Sequence, residues 1–104
     1  MDYSRYTDLK VRRLEPGILE LVMGEEGKLA TATARLHREL ADIWLDVGRD
    51  PETRVVILRG AGKGFSAGGD LAMVEAETRD FAARAGVGRE ARDLVYNVIN
   101  CSKM

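Results

Sequence analysis

The chain has 104 residues, of which 45% are apolar, and it carries a formal net charge of −1 at pH 7. This length suits one small domain, and the apolar content is typical of a folded chain and not of a disordered one. The balanced charges argue against the basic face of a nucleic-acid-binding protein and against a polybasic membrane-binding stretch. One cysteine and one histidine leave almost no material for a Cys/His metal site.

The chain begins with a predicted β-hairpin. Residues 8–14 alternate apolar and charged side chains, which is typical of a half-exposed strand. Residues 18–23 form a second, mostly apolar run, and the turn sequence Glu15-Pro16-Gly17 separates the two. We therefore expect two antiparallel strands joined by a tight turn.

An amphipathic helix is predicted next. Its apolar side chains recur at helical spacing, at Leu36, Leu40, Ile43, Trp44 and Val47. We expect Thr31 or Thr33 to cap its start and Gly48 to end it. Trp44 lies on the apolar stripe and should be part of the core. His37 lies opposite the stripe and should face solvent.

A glycine-rich loop follows the next predicted strand. The continuous apolar run Val55–Leu58 is typical of a strand buried on both faces, and its spacing from the hairpin predicts a crossover unit. Five glycines then lie between positions 60 and 69. Asp70 stands where a helix N-cap belongs, and Leu71–Glu77 should form a short helix. Strand, glycine loop and helix start together predict an anion-binding or oxyanion-binding site.

The remaining sequence is helical in pattern. Thr78 is a candidate cap for a further helix, and Gly86 and Gly88 should weaken that helix by about 1 kcal/mol each relative to alanine. The helical pattern recovers over residues 89–101. Because three strands are few for this many helices, residues 1–104 are predicted to be the N-terminal part of a larger α/β domain whose second half is absent.

The glycine loop is similar in part to two nucleotide-binding motifs. A P-loop is excluded, because Gly64 follows Lys63 where serine or threonine is required, and Ile57 occupies the position of the first glycine. Gly62, Gly64 and Ala67 do fit the dinucleotide pattern G-x-G-x-x-A. That pattern requires the helix to open within the motif, whereas two adjacent glycines still follow it here.

The motifs occur in a characteristic order. They are the hairpin at 8–23, the helix at 36–44, Asp50-Pro51, the strand at 54–60, and the block F-S-A-G-G-D-L at 65–71. In this order they strongly resemble the enoyl-CoA hydratase/isomerase family, also called the crotonase family, over nearly the whole chain. The resemblance implies a crotonase-like (ClpP/crotonase) α/β fold, which is a spiral of ββα units. Here that fold is incomplete, with hairpin, helix, buried strand, glycine loop and C-terminal helices.

The resemblance also implies a chemistry. The substrate would be an acyl-coenzyme A, so that coenzyme A enters as part of the substrate, with no separate cofactor and no metal. The thioester oxygen would lie between two backbone N–H groups that stabilise an enolate, and Gly69 would supply one of them as the catalytic group. Losing one such donor typically raises the barrier by about 2.7–4 kcal/mol. The implied substrate-binding residues are Lys28, Leu29, Thr31, Ser66, Ala67, Gly68, Asp70 and Leu71.

Two departures from the family pattern limit the prediction. The chain has Ala30-Thr31 where the family usually has asparagine-alanine. The family's second oxyanion glycine and its acid/base glutamates lie further along than this chain extends. No general acid or base is therefore assigned, since Glu75 and Glu77 face different sides of a helix. Hydration, double-bond shift, hydrolysis and decarboxylation all stay open.

The expected partners follow from composition and resemblance together. We expect no nucleic-acid or membrane partner, and a homo-oligomer (a trimer or hexamer) in the full-length family, active in fatty acid metabolism. A cytoplasmic location is expected, because the N-terminus has no signal-peptide pattern and Cys101 has no partner for a disulfide. An alternative is a non-catalytic fragment or assembly module that keeps part of the coenzyme A site. A third possibility is a nucleotide-binding module that prefers NAD.

Overall fold

A computed structural model of the protein describes residues 2–28 and 31–104. In chain order the elements are β1 (Lys10–Glu15), β2 (Gly17–Met23), α1 (Ala34–Arg49), β3 (Thr53–Gly60), α2 (Leu71–Arg79) and α3 (Phe81–Asn100). The strands form one sheet in the order β1-β2-β3. The first pair is antiparallel and the second is parallel, with α1 as the connection between β2 and β3. The predicted hairpin and crossover unit are confirmed.

The core lies between α1 and one face of the sheet. Its buried residues are Tyr6, Leu9, Leu19, Leu21, Met23, Leu36, Ile43 and Val47. Side chains alternate between the two faces along β2, so Leu19, Leu21 and Met23 all face α1. Helix α1 supplies apolar residues at helical spacing. Trp44 packs against the cluster as predicted.

The prediction that β3 is buried on both faces is wrong. Val56 and Leu58 pack partly buried against the core, but Ile57 on the other face is 41% exposed. Within residues 2–28 and 31–104, no helix or second sheet covers that face. Along the edge away from β2, the Met104 N–H donates to the Arg54 carbonyl at 3.0 Å and the Met104 carbonyl accepts from Val56 N–H at 2.7 Å.

The caps of α1 and α3 differ in part from the predictions. Thr33 caps α1 as expected, its Oγ1 accepting from Leu36 N–H at 3.0 Å. The helix runs through Gly48 and ends at Arg49, because Asp50 turns to extended backbone at the C-cap. Asp80, and not Thr78, caps α3 by accepting from Ala82 N–H at 3.0 Å.

Helix α3 is continuous from Phe81 to Asn100, although Gly86 and Gly88 lie within it. It packs along α1, where the Asn97 Nδ2 group donates to the Ala41 carbonyl at 2.8 Å. This tertiary contact offsets the glycine penalty, which amounts to about 2 kcal/mol for the two positions together.

A buried carboxylate fastens the segment before β1 to α1. Glu39, on α1, is only 7% exposed, and its two oxygens accept from the backbone N–H groups of Thr7, Asp8 and Leu9 at 2.8–2.9 Å. Three amides that would otherwise be unsatisfied share one charged acceptor, which is a strong arrangement for a buried carboxylate.

Replacing Glu39 with alanine should lower the free energy of unfolding by about 3 kcal/mol, because one buried amide and two part-buried amides lose their acceptor. Urea denaturation at neutral pH measures the change. The matched control is Glu25→Ala, which removes an exposed pairing with Lys28 at 3.1 Å and should change stability by less than about 0.5 kcal/mol. Equal effects of the two substitutions would contradict the anchoring role of Glu39.

A second buried carboxylate, Asp50, organises the turn after α1. It accepts hydrogen bonds from the Tyr3 hydroxyl at 2.6 Å, the Thr53 hydroxyl at 2.8 Å, the Glu52 amide at 2.9 Å and the Arg13 guanidinium at 3.0 Å. Burial opposes ionisation of Asp50, but these four donors outweigh it and hold the pKa of the carboxyl well below its usual range. Burial and the neighbouring carboxylate raise the pKa of Tyr3.

The depressed pKa of Asp50 predicts a specific acid sensitivity. Because the folded-state value lies below the unfolded-state value of about 3.9, the contribution of Asp50 is present at neutral pH. It is lost as the pH falls from about 4 toward the folded-state pKa. Asp50→Asn should lower stability at pH 7 and flatten the loss of stability below pH 4, as measured by urea unfolding across a pH series. Asp93→Asn, which alters an exposed pair with Arg92, is the control and should retain the wild-type curve.

Candidate functional site

The loop between β3 and α2 folds back over the end of the hairpin. The Ala61 N–H donates to the Met23 carbonyl at 2.8 Å, which places the loop beside the end of β2. A Cβ on Gly62 would overlap the Lys28 carbonyl oxygen, so only glycine fits this approach. Gly68 has φ +89°, a conformation that favours glycine. Two of the loop glycines are thus explained by backbone geometry.

Among the described residues, one parallel bridge joins this loop to the segment before α1. The Ala32 N–H donates to the Gly68 carbonyl at 2.7 Å, and the Asp70 N–H donates to the Ala32 carbonyl at 2.9 Å. Because backbone groups alternate sides along an extended chain, the Gly69 N–H points away from Ala32. Within the described part of the chain, that amide has no hydrogen-bond acceptor. The second glycine of the pair therefore presents its N–H outward.

Two grooves lie on either side of this bridge. The first, here called the lysine groove, has a volume of about 270 Å³. Its lining includes Asp8, Lys10, Glu25, Lys28, Thr31 and Thr33. The second, here called the helix groove, lies among α1, α2 and α3 and has a volume of about 380 Å³. Its lining includes Ala34, Arg38, Asp70, Met73, Val87 and Glu90.

The bridge separates the two grooves. Thr31 and Thr33 line the lysine groove, whereas Ala34 and Asp70, close to the same bridge, line the helix groove. A Cβ built on Gly69 would lie 2.5 Å from Cε of Met73, a lining residue of the helix groove. Gly69 is therefore next to the helix groove.

The structure brings some of the predicted site residues together. Lys28 and Thr31 line the same groove, and Gly69 and Asp70 adjoin the other. Four of the predicted residues are solvent-exposed, namely Ser66, Ala67 and Gly68 in the loop and Leu71 at the start of α2. The Ser66 Oγ accepts from the Gly68 N–H at 3.2 Å. Leu29 lies outside the described residues.

Asp70 is a helix cap, as predicted. Its Oδ1 accepts from the Met73 N–H at 2.8 Å, and the residue has the extended backbone of an N-cap. Helix α2 begins at Leu71, after the G-x-G-x-x-A stretch and not within it. This position of the helix argues against dinucleotide binding.

The prediction for His37 is wrong. Its side chain is only 16% exposed, and its Nδ1 lies 2.8 Å from Oε1 of Glu90 on α3. The face of α1 opposite the core stripe is covered because α3 packs there. The spacing of apolar residues in α1 alone gives no indication of this second contact, so sequence reasoning missed both His37 and Glu90 as candidate site residues.

Two other reactive side chains line neither groove. Cys101 is half-buried against the core, and Glu75 faces solvent in a loose pair with Arg79 at 3.9 Å.

Among residues 2–28 and 31–104, no three side chains of the metal-binding types converge. In the same ranges, no helix combines the length and the hydropathy that crossing a membrane requires.

The described fold matches the solved structures of several enzymes. An enoyl-CoA hydratase/isomerase from Mycobacterium paratuberculosis superposes with a TM-score of 0.86 at 29% identity, covering 93% of this chain and 39% of that one. A β-diketone hydrolase from Anabaena superposes with a TM-score of 0.74 at 31% identity, covering 91% of this chain and 38% of that one. The predicted crotonase-like fold is confirmed, as a partial fold of three strands and three helices.

Sequence comparison assigns the chain to a family. The enoyl-CoA hydratase/isomerase family model matches residues 13–104. The chain belongs to this family. It is also 42% identical over 64 residues to a (7aS)-7a-methyl-1,5-dioxo-2,3,5,6,7,7a-hexahydro-1H-indene-carboxyl-CoA hydrolase of Rhodococcus jostii, which covers 62% of this chain and 24% of the relative. A 1,2-epoxyphenylacetyl-CoA isomerase of Escherichia coli is 36% identical over 58 residues. That match covers 56% of this chain and 22% of the relative. The chain thus matches about a quarter of the length of these relatives.

The capping role of Asp70 can be separated from a chemical one. Asp70→Ala should lower the free energy of unfolding by about 1 kcal/mol and fray the start of α2, whereas Asp70→Ser should restore most of the loss, because serine also caps helices. Urea unfolding and amide hydrogen exchange at residues 71–74 measure the two effects. A serine variant that is as unstable as the alanine variant would contradict the capping role.

Proposed function

We propose that this chain binds an acyl-coenzyme A thioester and that the Gly69 amide donates a hydrogen bond to the thioester oxygen. The observation that carries the proposal is the Ala32–Gly69 bridge, which turns this N–H outward beside the helix groove. A backbone N–H held in place beforehand is an effective stabiliser of a developing enolate oxygen. The activity would be of the enoyl-CoA hydratase/isomerase type.

The two grooves suggest how such a ligand would lie. In the lysine groove, Lys28 and Lys10 offer ammonium groups and Thr31 offers a hydroxyl, which suit the phosphates and polar arm of coenzyme A. Lys28 pairs with Glu25 in an exposed salt bridge, which is weak enough to exchange for a phosphate. The acyl group would enter the helix groove, so that the thioester lies at Gly69.

The exposed loop would complete the coenzyme A contact. The three residues before Gly69 face solvent, namely Ser66, Ala67 and Gly68. An extended ligand would run along their backbone. Leu29 and Leu71 would also contact the substrate, because the family pattern places substrate contacts at their positions. Asp70 contributes by holding the start of α2, which supplies Met73 to the groove.

The chain covers only part of the length of its relatives, so the rest of the proposed site would come from elsewhere in such a domain. Residues 1–104 would be the N-terminal part of a crotonase-like domain, since they cover 39% of the solved mycobacterial relative. The second oxyanion donor and the acid/base groups would come from the remainder of such a domain. In that setting we expect a cytoplasmic homo-oligomer, a trimer or hexamer, with a role in fatty acid metabolism.

The Gly69 amide can be tested by removing its hydrogen. Gly69→Pro deletes the N–H but leaves the bridge, whose two hydrogen bonds use the Gly68 carbonyl and the Asp70 amide. Binding of acetoacetyl-CoA, a thioester that readily forms an enolate, should weaken by about ten- to a hundred-fold, since a hydrogen bond to a charged group contributes about 1.5–3 kcal/mol. Isothermal titration and the ultraviolet absorbance of the bound enolate report the change.

Gly69→Ala is the matched control. It keeps the N–H and adds the Cβ that must displace the flexible end of Met73, a contact that the proline variant shares. The alanine variant should retain most of the affinity. If the proline and alanine variants bind acetoacetyl-CoA equally well, the amide is not a donor to the thioester.

A second candidate function is an assembly module that binds acyl-coenzyme A without turnover. It is favoured by large apolar side chains at the surface, where Phe81 and Ile99 of α3 are each 74% exposed. Hydration of crotonyl-CoA separates the two candidates. Measurable hydration by the 104-residue chain would exclude the module, whereas binding without hydration by a chain that continues through the remainder of a crotonase-like domain would exclude the enzyme.

A further inference from the structure

The helix groove has an apolar wall and one polar flank. Its wall is built from small or flexible side chains, Ala34, Ala72, Met73, Ala76, Ala83 and Val87. Its volume of about 380 Å³ lies within the range of small-molecule sites. An acyl group of moderate size would therefore find apolar contact along most of the groove.

The polar flank is the pair formed by Glu90 and His37. Glu90 lines the groove, and its Oε1 lies 2.8 Å from Nδ1 of His37, which stands behind it on α1. The two side chains are 27% and 16% exposed, so the pair is shielded from bulk water but open to the groove. One proton must lie between the two atoms, and an imidazole N–H donating to a carboxylate satisfies the contact.

This arrangement leaves Glu90 as a hydrogen-bond acceptor toward the groove. An ionised carboxylate has two oxygens and about four acceptor sites, of which the contact with His37 occupies one. A ligand group that donates a hydrogen bond satisfies such an acceptor, whereas a ligand group that only accepts leaves it unpaired.

We propose that Glu90, positioned by His37, selects acyl groups that carry a hydroxyl at the end inserted in the helix groove. This inference rests on the proposed function, because it names the class of acyl group that the same site would take. It predicts a preference for a hydroxylated acyl-coenzyme A over the matching unsubstituted one.

The other charged groups of the groove have different roles. The Asp70 carboxylate is engaged at the start of α2 through the Met73 N–H at 2.8 Å. Arg38 also lines the groove, but its side chain is exposed on α1 and reaches a second surface depression beside Asp42. If Arg38 were the selecting group, the preference would be for acceptors such as carbonyl or carboxylate groups.

Matched thioesters test the preference on the 104-residue chain. 4-Hydroxyphenylacetyl-CoA is compared with phenylacetyl-CoA and 4-methoxyphenylacetyl-CoA, and 6-hydroxyhexanoyl-CoA with hexanoyl-CoA, by isothermal titration. The flexible chain allows the hydroxyl to reach Glu90 if the rigid ring does not. We expect the hydroxylated member of at least one pair to bind about ten-fold more tightly, with no advantage for the methoxy compound. Equal binding within both pairs overturns the inference.

Three variants assign the preference to its residue. Glu90→Gln keeps the shape and can still accept from His37, but it removes the charge, and the preference should fall to about two-fold or less. Arg38→Met and Glu77→Gln should leave the preference unchanged, and loss of the preference in Arg38→Met alone overturns the inference. Circular dichroism checks that each variant is folded, and the comparison of thioesters on the unmodified chain stands without any variant.

The outcomes separate this inference from the proposed function. If all the thioesters bind with equal affinity, the inference fails and the proposed function stands. If no thioester binds, both fail. If Gly69→Pro weakens every thioester by the same factor while the hydroxyl preference persists, both are supported and the two sites contribute independently.

Discussion

The Ala32–Gly69 bridge is the interaction on which the candidate site depends. Its two hydrogen bonds, at 2.7 and 2.9 Å, are the backbone connection between the glycine loop and the segment before α1. Each contributes only about 1 kcal/mol of net stability. Their larger effect is geometric, since they decide which side of the loop the Gly69 amide faces and they separate the lysine groove from the helix groove.

The bridge is supported by a chain of polar contacts, most of them part-buried. Glu39 holds the backbone of Thr7 to Leu9, and the Asp8 carboxylate accepts from the Thr33 hydroxyl at 2.5 Å. The Thr33 hydroxyl in turn caps α1, directly after Ala32. The N-terminal segment, the start of α1 and the bridge are thus tied together. Burial shields this network from water in part, most fully at the Leu9 amide.

The opposite side of the molecule is built differently. On the second face of the sheet, the Glu20 carboxylate lies between Arg59 at 3.0 Å and Arg12 at 3.0 Å, and hydrogen bonding to Arg59 and Arg12 lowers the pKa of Glu20. Ile57 on that face and the apolar side chains of α3 remain exposed. The chain belongs to the enoyl-CoA hydratase/isomerase family and covers 39% of a solved relative, so these exposures describe residues 1–104 alone.

The sequence by itself determined the local elements and the family. The hairpin, α1, the cap at Asp70 and the parallel crossover all follow from periodicity, turn residues and capping residues, which act over a few positions. The block at 65–71 was specific enough to predict the crotonase-like fold that the comparisons bear out. Predictions of burial and of helix limits were less reliable. The exposure of Ile57 depends on whether another layer packs on its face of the sheet, and the turn at Asp50, not Gly48, sets the end of α1.

Only the tertiary structure decided what the second face of α1 contacts. The path of α3 brings Glu90 to His37, 53 positions apart in sequence, and no local pattern in α1 or α3 encodes that meeting. The same is true of the direction of the Gly69 amide, which depends on a bridge to a residue 37 positions earlier. Helix propensity and capping are short-range effects. A groove and an outward N–H arise from the packing of distant segments, so the sequence alone did not predict the geometry of the site.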